Sequence, residues 1–167
     1  LLLTKIKNIL PKEIKSNFLE SVTKIKILLS RYFIGIAAQI TLLFVLYSVM
    51  LSVIGINNAL VIAFLCAILN IIPYIGPLIS IVLMSVLTMT GYIDTSLINE
   101  MLSKVVYIFI GFSVVQLIDN FIIQPYIFSK SVKSHPLEVF IVIISSGMLF
   151  GIVGLIIAIP LYTAVKV

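Results

Sequence analysis

Apolar residues run in blocks of membrane-spanning length, and short polar or Pro/Gly-rich interruptions divide the chain between them. Tyr32 to Ile54 carries no charged residue, and an apolar run of ~18–20 residues is what a spanning helix needs. Upstream, Ile14, Phe18, Val22, Ile25 and Leu29 recur at helical spacing, while Lys12, Lys15, Lys24 and Lys26 fall largely off that stripe. This predicts a basic amphipathic helix within residues 1–31, at the membrane surface or on a cytoplasmic partner, and a transmembrane helical domain over 32–167. The basic cluster places Arg31 in the cytoplasm and Gly55-Ile56-Asn57-Asn58 outside. Gln39 and Thr41 read as helix-packing contacts within the first span.

The strongest interruption is Asn70-Ile71-Ile72-Pro73-Tyr74-Ile75-Gly76-Pro77, with apolar Ala59–Leu69 before it and Leu78–Met89 after it. Both prolines lack an amide hydrogen and Pro73 clashes with the preceding turn, so no straight helix passes through. Gly76 precedes a proline and is biased away from helical angles. Ala59–Ile72, at about 14 residues, makes ~21 Å of helix, short of a ~30 Å hydrocarbon core. A helical hairpin that re-enters from outside, or a short tilted pair, follows; a plain tight turn between two spans is the alternative. Non-helical backbone at membrane depth survives only where protein or a wet cavity satisfies it, and such breaks are where secondary transporters often bind substrate or ion.

Asp94, Glu100 and Lys104 make the next polar loop, on the outer side. Val105 to Gln124 is then a spanning helix with Ser113, Gln116, Asp119, Asn120 and Gln124 at three- and four-residue spacings, one polar stripe. An Asp at a helix centre costs about 2.5–3.5 kcal/mol on insertion scales, so this stripe faces the bundle interior or a wet cavity. Pro125 marks the end of regular helix. Lys130, Lys133 and His135 return the chain to the cytoplasm, His135 reading as a cap or headgroup contact or as a proton-linked switch. In the final apolar block, 137–167, glycines recur at Gly147, Gly151 and Gly154 before Pro160. Either one helix ends outside, or a second hairpin turns near Phe150–Gly154. The hairpin explains Lys166 and the glycines together and is the reading preferred.

Composition sharpens this to an all-α, polytopic helical membrane protein. Hydrophobic residues are 62% and charged residues 10%, against about 45–50% and 25% in soluble domains. Strand-length alternation is absent, so no barrel is expected. The net charge is +5, but seven of the 11 basic residues precede Tyr32, which makes anionic lipid their expected partner and not nucleic acid. Cys66 lies in an apolar run and reads as a packing residue. With one His and one Cys, no metal cluster or cofactor is expected. Asp119 also lacks a carboxylate partner within an apolar run, so no hydrolase is expected.

Three stretches resemble the autoinducer-2 exporter family of bacterial and archaeal membrane proteins. Asn70 to Pro77 is similar to its Pro-Tyr-x-Gly-Pro signature. Gln116, Asp119-Asn120 and Gln124-Pro125 are similar to its Gln-x-x-acid-Asn…Gln-Pro segment. His135-Pro136-Leu137, Gly151-x-x-Gly154 and Pro160 are similar to its ending. The family often carries Glu where this chain has Asp119, and its members are usually about twice as long, so the chain looks like their C-terminal half. The resemblance implies a multi-pass transporter or exporter in the cytoplasmic membrane and a homo-oligomer. Its cargo would be a small polar molecule such as the quorum-sensing signal autoinducer-2, with sodium/proton antiport in other relatives. Asp119 is then the expected coupling carboxylate, held by Asn120 and Gln116, with Gln124 beside them. Asn70, Pro73, Gly76, Pro77, Gly151, Gly154 and Pro160 are expected to shape the hairpins. A non-transporting scaffold that organises lipid or recruits a partner is the competing reading. A central break and a buried polar stripe speak against it.

Overall fold

The structure is a computed structural model that describes residues 12–91, 98–128 and 136–166, every regular element of them helical. The expectations for Asp94, Lys130, Lys133 and His135 lie outside the described residues. Helix α1 (Lys12–Ile54) is 43 residues long. It runs unbroken through Arg31, so the described part of the basic segment, from Lys12, continues into the first span as one helix. At the other end α1 stops by geometry. Gly55 takes φ 77°, its amide donates to the Ser52 carbonyl, and Ile56 N–H donates to the Leu51 carbonyl at 3.0 Å. That is a glycine-terminated helix stop, sealed by burial of Leu51 and Ile56.

Helices α2 (Ala59–Leu69) and α3 (Ile75–Thr90) form a hairpin whose first arm packs along α1 and whose second arm packs against the next helix. Their reversal occupies 70–74, and Gly76 sits where the arms cross. A Cβ on Gly76 would lie 2.1 Å from the Leu69 carbonyl oxygen, so no other residue fits without moving backbone. Asn70 closes the end of α2: its side-chain amide donates to the Cys66 carbonyl at 2.8 Å and to the Ser80 hydroxyl at 3.3 Å. The free thiol of Cys66 is buried against the Ser80 carbonyl at 3.6 Å, a packing role.

Helix α4 (Ile98–Ile118) returns across the bundle antiparallel to α1. Lys104 Nζ donates to the Gly55 carbonyl at 3.1 Å, which fixes the start of α4 beside the end of α1. The main core joins α1, α2, α3 and α4 through Leu43, Tyr47, Leu51, Ala63, Met84 and Ile108. Tyr47 and Phe112 stack with ring centroids 5.8 Å apart and planes 2° from parallel.

The helix does not end at Pro125. Asp119–Ile123 is a π-helical turn, and α5 (Gln124–Phe128) continues beyond it. Gln124 N–H reaches back to the Asp119 carbonyl, five residues away. Widening the turn by one residue lets the chain carry a proline, which has no amide to donate, without breaking direction.

Helix α6 (Pro136–Lys166) is folded in two. Gly151 has φ 62° and ψ −144°, a conformation open essentially to glycine alone. The Tyr162 hydroxyl donates to Glu138 Oε2, although a straight helix would hold these residues ~36 Å apart. The arms close tightly: a Cβ on Gly154 would lie 2.0 Å from the Ser146 carbonyl oxygen, and one on Gly147 2.5 Å from Leu155. Pro160 lies within the second arm. The base of this second hairpin forms its own small core with α1 through Tyr32, Ile143, Ala158 and Ile159.

Leu19–Ile54, Asn99–Tyr126 and Leu137–Thr163 are each long and apolar enough to cross a membrane. The third is divided by its turn, leaving arms of roughly 22 Å, less than a hydrocarbon thickness.

Candidate functional site

The polar residues of α4 do not act as one stripe. The π-helical turn divides them between two directions. Asp119 points inward and is fully buried, where its carboxylate receives amide hydrogens from two elements. Gln39 Nε2 of α1 donates at 3.0 and 3.2 Å, one bond to each oxygen, and Gln124 Nε2 donates at 2.7 Å. Gln124 Nε2 also lies 3.1 Å from Asn120 Oδ1.

The expected partners of Asp119 were Asn120 and Gln116. The geometry replaces them with Gln39 and Gln124, because a turn of π helix rotates Gln124 back over Asp119. Gln39, read from sequence as a packing residue, is the missed member of the site. It is 80 residues away in the chain, and helical spacing carries no signal for a partner so distant. A polar residue in an otherwise apolar span was the one available hint.

Gln116, Asn120 and Gln124 face the other way, into a cavity of about 500 Å³. Its opposite wall is the tip of the first hairpin: Pro73, Tyr74 and Pro77, followed by Leu78 and Ile81. Phe112, already stacked on Tyr47, supplies the floor. The cavity is lined by apolar rings and neutral amides; among the described residues no charged side chain reaches it. Gln116 Oε1 is itself fully buried and has no hydrogen-bond partner among the described residues. Burying a polar atom unpaired costs about 1–3 kcal/mol, a cost that turning the Gln116 amide toward the cavity would relieve. Asn70, by contrast, faces the hairpin interior with Tyr47 and Ser80 and takes no part in the cavity wall.

The backbone at the cavity rim is strained. Tyr74 has φ 64° and ψ −48°, and Ile75 N–H donates to the Pro73 carbonyl at 2.8 Å. Those angles with an i→i+2 bond define the rare, strained form of the γ-turn. The Tyr74 ring meets Phe140 of the second hairpin edge-to-face at 5.6 Å, so the two hairpins touch at the rim. Gly151 and Gly154 lie along the second hairpin and shape its fold without lining the cavity. Among the described residues, no group of His, Cys, Asp and Glu is placed to hold a metal ion.

The "Putative transport protein YueF" of Bacillus subtilis (strain 168) is 31% identical over 112 residues, covering 67% of this chain and 28% of that protein. The "Putative transport protein YrrI" of the same organism is 31% identical over 115 residues, covering 69% of this chain and 30% of that protein. The matched segment therefore spans less than a third of either relative. No solved structure matches the chain. The family described as "AI-2E family transporter" matches residues 1–167, and the chain belongs to that family.

Proposed function

We propose that this chain forms the cargo-handling part of a membrane transporter for a small, uncharged, polar solute, autoinducer-2 being one such molecule. The supporting observation is the cavity between the hairpin tip and the π-helical turn, with the neutral amides of Gln116, Asn120 and Gln124 in its wall. A charged cargo would meet no counter-charge on that wall, whereas hydroxyls have Gln116, Asn120 and Gln124 to bond. Broken helices at membrane depth are where secondary transporters often bind substrate or ion. The tip of the first hairpin and the π-helical turn put non-helical or widened backbone beside the cavity, which a scaffold has no use for.

Asp119 supports coupling to an ion or proton. It is the buried carboxylate directly behind the cavity wall, and Gln124 touches both Asp119 and the cavity. Occupancy on one side is thereby linked to charge on the other. Sodium/proton antiport by the same carboxylate is the second reading, favoured by this one contact.

The test is flux through the full-length protein in proteoliposomes, with autoinducer-2 and sodium side by side under proton gradients of either sign. Gln116→Leu removes an amide from the cavity wall and is expected to lower solute flux at least tenfold. Asp119→Asn is expected to abolish the response to the proton gradient. Sodium-dependent proton flux lost in Asp119→Asn, without solute movement, moves the function to antiport. Full solute flux in Gln116→Leu removes the cavity from the pathway.

A further inference from the structure

We infer that the γ-turn at Tyr74 is a sprung gate over the cavity, latched shut by Phe140 of the second hairpin. The inference deepens the cavity reading above and rests on it for the purpose of the gate, though not for its existence. A tyrosine at φ 64° and ψ −48° is costly for any side chain with a Cβ. Glycine would occupy this position without penalty, and the chain instead places its largest rim side chain there. Strain of this kind persists only where surrounding contacts hold it. Among the described residues the polar and ring contacts that hold it are two backbone bonds, Ile75 N–H to the Pro73 carbonyl and Gly76 N–H to the Ile72 carbonyl, both at 2.8 Å, and the edge-on ring of Phe140. Tyr74 itself is 46% exposed, so the tip is not locked by deep burial.

The remainder of the tip is built to move as a unit. Asn70 anchors it at one end through Cys66 and Ser80, and Ile75 packs at the other into the core beneath the second hairpin. Between them, 71–74 carries only short-range backbone bonds. Releasing the Tyr74–Phe140 contact lets Tyr74 return to an unstrained conformation, and doing so moves the wall that faces Gln116 and Asn120. Phe140 does not line the cavity; its role is to position Tyr74. The second hairpin thus acquires a function in this fold: its base holds the gate of the first.

The test reads access to the cavity and needs no cargo. Full-length protein with Cys66→Ala and Gln116→Cys is treated with a polar thiol reagent, and the labelling rate is followed. Tyr74→Phe keeps both ring and strain and is expected to label like the parent. Tyr74→Ala keeps the strain and loses the latch, and is expected to label about tenfold faster. Tyr74→Gly loses the ring as well but relieves the strain, and is expected to label several-fold slower than Tyr74→Ala. Phe140→Ala, and Phe140→Leu as a milder change, are expected to speed labelling with every cavity-lining residue intact. Equal rates for Tyr74→Ala and Tyr74→Gly overturn the spring, and parental rates in both Phe140 variants overturn the latch. The predicted order without solute flux retains the gate and removes the transport reading; flux with the order absent does the reverse.

Discussion

Single atoms decide several positions. At Gly76 the obstacle is the Leu69 carbonyl, 2.1 Å from where a Cβ would sit, and backbone cannot step aside as a flexible side chain can. Gly76→Ala is expected to destabilise by about 1–3 kcal/mol, seen as an earlier thermal transition in detergent. An unchanged transition would mean that the arms do not cross so closely. Asp119 poses the opposite problem, a charge that must be held. Gln39→Leu strips a donor from both carboxylate oxygens and is expected to cost about 1–3 kcal/mol. The double variant Gln39→Leu, Asp119→Leu removes donor and acceptor together and should recover part of that loss. Strict additivity of the two single changes would show that the pair is not coupled.

At the scale of elements, turns are set by backbone angles that one residue type can reach. Nothing lies within 4 Å of a Cβ built on Gly151, yet its φ is +62°. Gly151→Ala is therefore expected to cost about 1–3 kcal/mol through strain alone. Gly91→Ala is the control, since Gly91 has φ −77° and ordinary contacts, and it should be tolerated. Equal behaviour of the two would move the turn away from Gly151. These breaks left a trace in the sequence because Pro and Gly act on their own backbone: Pro73 stands in the reversal itself, while Gly76 and Pro77 fit in the first turn of α3, where a missing amide costs no helical bond. The π-helical turn was not legible, since Asp119 to Ile123 has no residue that a regular helix excludes. The pairing of Gln39 with Asp119 was hidden for a different reason, because it follows from how α1 and α4 register in space. Tyr74 shows the same limit in reverse. Its neighbours announce a turn, but only the packed hairpins reveal that a tyrosine is forced into a left-handed one.

That register orders the whole molecule. The Lys104–Gly55 contact ties the start of α4 to the end of α1, and the Asp119–Gln39 pair ties them again farther along. About 16 residues separate the two ties on α1 and about 15 on α4, so each helix advances ~23 Å between them. The carboxylate thus sits toward the end of the span opposite the turn that holds Asn57 and Asn58. The first hairpin starts and finishes near that turn, with its tip far enough along to meet Phe140. Impermeant thiol labelling of full-length protein lacking Cys66 should accordingly modify Asn58→Cys and Gly91→Cys from one face, and Lys24→Cys from the other. The second hairpin differs. Met148, Leu149, Ile152 and Val153 at its tip are 64–84% exposed and wholly apolar, and its arms are shorter than the hydrocarbon core. A polar reagent should leave Leu149→Cys unmodified from either face, because a tip of that composition rests in the bilayer or against another apolar surface. Ready labelling of Leu149→Cys from the outer face would show that the second hairpin crosses completely. Its base would then be drawn through the membrane with it, and Phe140 could not stay at the depth where it meets Tyr74.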